Sequence, residues 1–295
     1  MKANTPSDAN VLPVVLIVAD ISNYTGFMMA SQESLVHGQQ IVGELLQAIL
    51  SEVEIPLQVK DIEGDAVFLY AVAEPGAEWE DVRQRVSDKI LDFFRAFRAT
   101  LVSAADASIC PCAICDHLEE LRLKVVVHAG QAALADVAGR THLFGPDVAL
   151  VHRLLKNSVP ADEYILFTEA GFEALGHPSS SDEMITIDEA VEGLGTVRAH
   201  AHVFGDEERS AVRRAYGARS WNQRFASNMA WLAKGYFGQF PILLGRLADD
   251  RALEPLRARR RPARSLAMAL ALGLMGPFLL IGGAAWMAVR SLTRS

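Results

Sequence analysis

Val14-Val15-Leu16-Ile17-Val18-Ala19-Asp20-Ile21-Ser22-Asn23-Tyr24-Thr25-Gly26-Phe27 is the stretch that decides how this chain is read. The apolar, β-branched run Val14–Ala19 reads as a fully buried strand, and it delivers Asp20 at its end. A second acid arrives in the same way. Leu57-Gln58-Val59 and Ala66-Val67-Phe68-Leu69-Tyr70 flank Glu63-Gly64-Asp65, so a hairpin turns at a glycine and presents Asp65. Two carboxylates at the ends of neighbouring strands can share one or two Mg²⁺ ions. Two metals about 4 Å apart stabilise both the attacking and the leaving oxygen in phosphoryl transfer. Either aspartate alone would pass for a strand-end or turn residue. The pair gains meaning from the segments between Leu123 and Thr168.

Outward from these strands the periodicity alternates between helix and sheet. A helix is expected over about Glu33–Leu50, because Leu35, Val36, Val42, Leu45, Leu46 and Ile49 recur at helical spacing. A second, from about Trp79 to Val102, carries Val82, Val86, Ile90, Phe93, Phe94 and Phe97 on one face. Leu121–Ala129 reads as a strand and Val148–Leu155 as a short helix. Tyr164–Thr168 reads as a strand running into a short helix, Glu169–Leu175. Met184–Ile187 and Thr196–Phe204 make a last hairpin, in which Val197, Ala199, Ala201 and Val203 alternate with Arg198, His200 and His202. That alternation puts His200 and His202 on one face, expected to be exposed, while His128 within its strand is expected to be structural. The order β-α-β-β-α-β is the ferredoxin-like pattern of an α+β domain, here with added strands.

The chain has 295 residues, 51% hydrophobic, and a formal net charge of −8. That length supports one large domain or two small ones. The acidity argues against a nucleic-acid partner for the soluble part. Nothing near Met1 resembles a signal peptide, which points to the cytoplasm, and three cysteines close together are not a disulfide framework. The C-terminal part differs from the rest. Leu266–Val289 holds no charged residue over 24 positions, and at about 1.5 Å per residue it would cross the ~30 Å hydrocarbon core. Arg257, Arg259, Arg260, Arg261 and Arg264 crowd its N-terminal flank, against Arg290 and Arg294 after it. The positive-inside rule then predicts a single-pass tail anchor in the inner or plasma membrane, with the large N-terminal part in the cytoplasm. The expected organisation is a disordered segment 1–10, a domain over 11–205, a helical juxtamembrane region 206–264 and a transmembrane helix 265–290. Trp221, Phe225, Trp231, Leu232, Phe237 and Phe240 stud the juxtamembrane region. It reads as a stalk, as a helix lying on the membrane surface, or as helices packed back on the domain.

Four further segments complete a pattern: Leu123-Lys124-Val125-Val126-Val127-His128-Ala129-Gly130, Phe144-Gly145-Pro146-Asp147-Val148, Arg153-Leu154, and Tyr164-Ile165-Leu166-Phe167-Thr168. In this order, from about Val14 to Phe204, the chain resembles the class III nucleotidyl (adenylate/guanylate) cyclase homology domain. The wording around Gly145-Pro146-Asp147-Val148 and His152-Arg153-Leu154-Leu155-Lys156-Asn157, with the cysteine segment, is similar to a divergent bacterial branch. The resemblance implies that Asp20 and Asp65 hold Mg²⁺ or Mn²⁺, which would activate the ribose hydroxyl and neutralise the triphosphate. It implies that Arg153 stabilises the charged transition state, and that backbone amides through Gly26 and Phe27 contact phosphates at a helix N-terminus. It also implies a homodimer, since the family builds its sites between two domains. Departures fall on substrate recognition. Asp61 stands where the family has its base-selecting lysine, with Lys60 one residue away and, by strand alternation, on the opposite face. His142 stands at the second base-selecting position, and Ala149 where the family has a ribose-orienting asparagine. The expected function is therefore a membrane-anchored signalling module that binds a divalent metal and a nucleotide with degenerate base and ribose recognition. The alternative is an active cyclase with altered base choice.

Cys110-Pro111-Cys112-Ala113-Ile114-Cys115-Asp116-His117 is a separate cluster. Three thiolates and one imidazole, Cys110, Cys112, Cys115 and His117, form a recognised Zn²⁺ donor set. A reduced, unliganded loop is the competing reading.

Overall fold

The computed structural model describes residues 10–29, 35–72, 79–107, 117–176, 184–220 and 222–223. Two compact units divide the chain. One takes Met1–Phe27, Val42–Thr100 and Glu120–Val212; the other takes Met28–Ile41, Leu101–Glu119 and Arg213–Ser295.

The first unit is a mixed α+β domain on one eight-stranded sheet. Its elements are β1 (Asn10–Ser22), α1 (Tyr24–Met29), α2 (Leu35–Ser51), β2 (Leu57–Glu63), β3 (Ala66–Val72), α3 (Trp79–Ala107), β4 (Arg122–Val137), β5 (Arg140–Phe144), α4 (Pro146–Arg153), β6 (Tyr164–Thr168), α5 (Glu169–Leu175), β7 (Met184–Val191), β8 (Gly195–Val203) and α6 (Asp206–Gly217). One end each of α1, α2, α3 and α6 belongs to the second unit. Strand order is β2-β3-β1-β4-β6-β8-β7, with β5 pairing β4 off this path. The first four strands lie in the antiparallel order that a β-α-β-β-α-β chain gives. The β4–β6 ladder is parallel, and the β7–β8 hairpin is added beyond β6.

The run that reads as a buried strand is buried because both faces are covered. Val14, Leu16 and Val18 join Phe68, Val126, Leu150, Val151, Leu154 and Leu166 in one core cluster. The alternate set of side chains, Val15, Ile17, Val67, Leu69, Val125 and Val127, is equally inaccessible. Such two-sided burial explains why these strands show continuous apolar runs instead of alternation.

Several expectations change. β4 continues to Val137 and turns into β5, neither of which the sequence announces, because Gln131-Ala132-Ala133-Leu134-Ala135 is poor strand material. Pairing of Asn10–Pro13 with Gln131–Leu134 imposes the first part of the extension, and pairing of Ala133–Val137 with β5 imposes the rest. The turn has Ala138 and Gly139 both at positive φ, as the tightest hairpin loops require. His202 is buried, not exposed, edge-on to Phe204 at 4.7 Å. It lies opposite Ile165 on an interior strand, so its face of the sheet is not a solvent face. Lys60 is also corrected. The ladder slips between Val59 and Asp61, so Lys60 and Asp61 together stand opposite Phe68. A β-bulge breaks the alternation that would have separated the two side chains.

The described part of the second unit includes the α3 end, the α6 end and a 3₁₀ turn, Leu118–Glu120, that runs one residue beyond it. Tyr216 is buried and donates to Ser103 Oγ at 3.5 Å, Arg219 stacks over its ring, and Arg213 pairs with Glu119. No helix among the described residues is long and apolar enough to cross a membrane. The expected segment 265–290, most of 206–264, and Cys110, Cys112 and Cys115 lie outside the described residues.

Candidate functional site

A single row of the sheet organises the site. In register across four ladders stand Ala66, Asp20, Lys124, Tyr164 and Val203. Residues directly opposite one another share a face, so Asp20 and Lys124 point the same way. Lys124 Nζ lies 2.9 Å from Asp20 Oδ2, with both side chains largely shielded from water. Asp65 enters from the β2–β3 loop, where Gly64 takes φ +66° at the first position of a two-residue turn. The Ile21 N–H donates to the Asp65 carbonyl at 3.3 Å, tying this loop to the end of β1. The Asp65 carboxyl is pushed above the usual carboxylate range, first by burial and then by the negative charge of Asp20; a backbone N–H and Lys124 oppose this. Asp65 thus feels both charged groups of the neighbouring strands.

Tyr164 closes the row. Its ring is buried and its hydroxyl pairs reciprocally with Asn157, at 2.8 Å from Nδ2 and 3.1 Å to Oδ1. Burial raises the phenol pKa, with Lys124 among the opposing influences. The Asn157 amide also donates to the Leu154 carbonyl at 2.8 Å, an acceptor freed by the end of α4. The clamp therefore fixes the helix end that carries Arg153. The Arg153 side chain is exposed, with Nη1 beside the β7–β8 turn at Gly193. Among the described residues it has no ion-pair partner.

The remaining sequence candidates are placed as follows. Asp61 is exposed and accepts the Ile62 N–H at 2.9 Å. His142 is half-buried on β5, 6.1 Å from the Phe144 ring. Gly26 is exposed on α1. Phe27 has its side chain in the core, and its N–H donates to the Asn23 carbonyl at 2.9 Å. Asn23, just before the helix, is held at φ +66° with its side chain on the Glu120 carbonyl. His117 is exposed; its three cysteine companions lie outside the described residues.

His128 is buried within β4. Nδ1 meets Thr168 Oγ1 at 2.8 Å, and the same oxygen caps α5 by accepting the Gly171 N–H. Nε2 lies 3.3 Å from Asp147 Oδ1, an ion-pair distance without hydrogen-bond alignment. Burial lowers the His128 pKa, and Asp147 opposes this. Asp147 packs directly on Gly130 and accepts the Gln131 N–H at 2.7 Å. A methyl group on Gly130 would fall 2.3 Å from Asp147 Oδ2. Gly130→Ala is accordingly expected to cost about 1–3 kcal/mol in denaturant unfolding, the range of overpacked sites, because Asp147 must leave both Gln131 and His128.

Among the described residues no group of three or more His, Cys, Asp or Glu side chains converges for a metal. Asp20 and Asp65 could offer two hard oxygen donors, a set whose chemistry would suit Mg²⁺ or Mn²⁺ and not a soft or fully caged ion. Lys124 is the residue that sequence reading missed. Its signal is a strand register that only the folded sheet reveals.

Comparison with known proteins supports the fold. The family model described as "Protein of unknown function (DUF2652)" matches residues 42–164. The uncharacterized protein Rv2561/Rv2562 of Mycobacterium tuberculosis is 30% identical over 159 residues, 54% of this chain; the match spans 66% of that relative, just under two thirds of its length. The adenylyl cyclase CyaB from P. aeruginosa superposes with a TM-score of 0.51 at 13% identity, covering 66% of this chain and 96% of that one. The guanylyl cyclase Cya2 gives 0.48 at 14% identity over 67% and 95%. The fold is cyclase-like.

Proposed function

We propose that residues 11–205 form a divergent cyclase-homology module that binds a divalent cation together with a nucleoside triphosphate or another nucleotide at Asp20 and Asp65. The observation that carries this reading is the carboxylate pair itself. Two acids are held side by side at adjacent strand ends, and Asp65 is destabilised in its charged form by burial and by Asp20. Such a pair is relieved by a cation. Mg²⁺ or Mn²⁺ would there neutralise phosphate charge and polarise the attacking hydroxyl. Lys124 adds positive charge to the same face, and Arg153, fixed by the Asn157–Tyr164 clamp, supplies a guanidinium to a partner subunit's site in a homodimer. Base and ribose recognition are degenerate in this reading: Asp61 repels phosphate, and Ala149 offers no hydrogen bond. The proposal includes a tail anchor at 265–290 in the inner or plasma membrane, the juxtamembrane region 206–264, a cytoplasmic domain, and a Zn²⁺ loop at Cys110, Cys112, Cys115 and His117. These parts rest on the sequence.

A second reading, an active cyclase with altered base choice, is favoured by the bulge that sets Lys60 beside Asp61 opposite Phe68. The test incubates the full chain with each of the four nucleoside triphosphates and Mg²⁺ or Mn²⁺. Cyclic product and pyrophosphate are sought by mass spectrometry, and binding by calorimetry. Metal-dependent binding without product identifies the binding module. Product that disappears in Asp20→Ala identifies the enzyme. No binding of any triphosphate defeats both readings.

A further inference from the structure

The Asp20–Asp65 pair already carries a cation of the chain's own. Lys124 Nζ sits 2.9 Å from Asp20 Oδ2, a charge-assisted contact. Its position is fixed by register, since Lys124 and Asp20 are directly opposed on β4 and β1. The three groups together sum to one negative charge. A divalent ion added to the two carboxylates alone would neutralise them; added beside the ammonium it would leave an excess positive charge in a partly shielded site. At the few ångströms involved, two cations repel by far more than thermal energy at any effective dielectric near that of a protein surface. The ammonium and the metal also compete for the same oxygen.

Resting on the metal-binding reading above, we propose that Lys124 is a resident counter-ion that competes with the divalent cation for Asp20, so that metal enters only as the ammonium swings away. The lysine stem permits this movement, because four rotatable carbons carry the charge. The displaced ammonium needs another anion, and a polyphosphate arriving with the metal provides one. Metal and polyphosphate therefore strengthen each other's binding, by the same factor in both directions. Free metal alone binds weakly.

The test measures Mn²⁺ binding by electron paramagnetic resonance on the purified full chain, with and without inorganic triphosphate. Lys124→Met keeps the stem and removes the charge; it is expected to bind Mn²⁺ alone at least about tenfold more tightly than the parent chain. The strengthening by triphosphate seen in the parent should be lost. Lys124→Arg retains the charge and should keep the weak binding of the parent. Asp20→Asn should abolish the gain in a Lys124→Met background. A thermal melt adds a second readout: Lys124→Met should gain more stability from Mn²⁺ than the parent does. Equal or weaker Mn²⁺ affinity in Lys124→Met, with Asp20-dependent binding in both proteins, overturns the competition and leaves the metal site standing. Absence of Mn²⁺ binding in parent and variant alike, with or without triphosphate, overturns the competition together with the metal site.

Discussion

Glu163→Ala should lower the stability of the domain by about 3–5 kcal/mol, the cost of removing one partner of a buried ion pair. Arg98 Nε donates to Glu163 Oε1 at 2.8 Å, and their side chains are only 8% and 2% exposed. Arg98 lies 4.5 Å from the centroid of the Phe204 ring and 5.8 Å from that of Phe94, so water cannot replace the lost carboxylate. Arg209 at the start of α6 approaches the other oxygen, Nε to Oε2 at 3.4 Å. The alanine variant leaves one buried guanidinium and one half-exposed one without their shared anion. Denaturant unfolding at neutral pH measures the loss. The double variant Arg98→Met with Glu163→Leu should recover most of it, since an apolar pair of similar volume avoids the desolvation cost altogether. A loss below about 1 kcal/mol in Glu163→Ala would mean that the pair is solvated in solution.

The second large effect has opposite signs for stability and for binding. Burial and Asp20 raise the Asp65 pKa in the folded protein. As pH rises through the carboxylate range, the unfolded chain releases this proton first. Ionisation of Asp65 therefore subtracts from stability above the unfolded pKa and contributes nothing below it, where both states are protonated. Asp65→Asn keeps the shape and removes the charge. In the presence of a chelator it should melt at a higher temperature than the parent at pH 7, with the difference closing as the solution is made acidic. Metal-dependent nucleotide binding should fall by more than about 100-fold, since loss of even an outer-sphere partner costs 10–100-fold. A variant less stable than the parent at pH 7 would show that Asp65 is held by favourable contacts, not strained by its charge.

Much of this architecture is legible in the sequence where local pattern and tertiary environment agree. Val14–Ala19 and Tyr164–Thr168 are continuous apolar runs because both faces of the sheet are covered. Gly64 marks its turn because the loop needs a positive φ there. What escapes depends on pairing between distant segments. The strand character of Gln131–Val137 comes from pairing with β1 as far as Leu134 and with β5 beyond it, not from its alanines. The bulge at Lys60 is a slip in a ladder, and alternation alone argues against it. Glu163, Lys124 and His202 are an acid, a base and a histidine on strands or their ends, types normally read as solvent-facing. Each is shielded by a partner more than sixty residues away or by a ring just past the end of its own strand. Among the site candidates, Asp20 and Asp65 are adjacent through Ile21, whereas the Phe27 N–H donates to the Asn23 carbonyl.

The ladder between β1 and β4 has a consequence for biosynthesis. Asn10 faces Leu134 and Ser22 faces Arg122, so every rung joins residues about a hundred positions apart. β1 emerges from the ribosome early, with one edge able to pair with β3 after residue 72 and the other not fully paired until residue 134. At about 5–20 residues per second, that edge waits roughly 5–20 s for its partner. During this interval the apolar run Val14–Ala19 is an unpaired template, and the yield of folded protein will depend on what shields it.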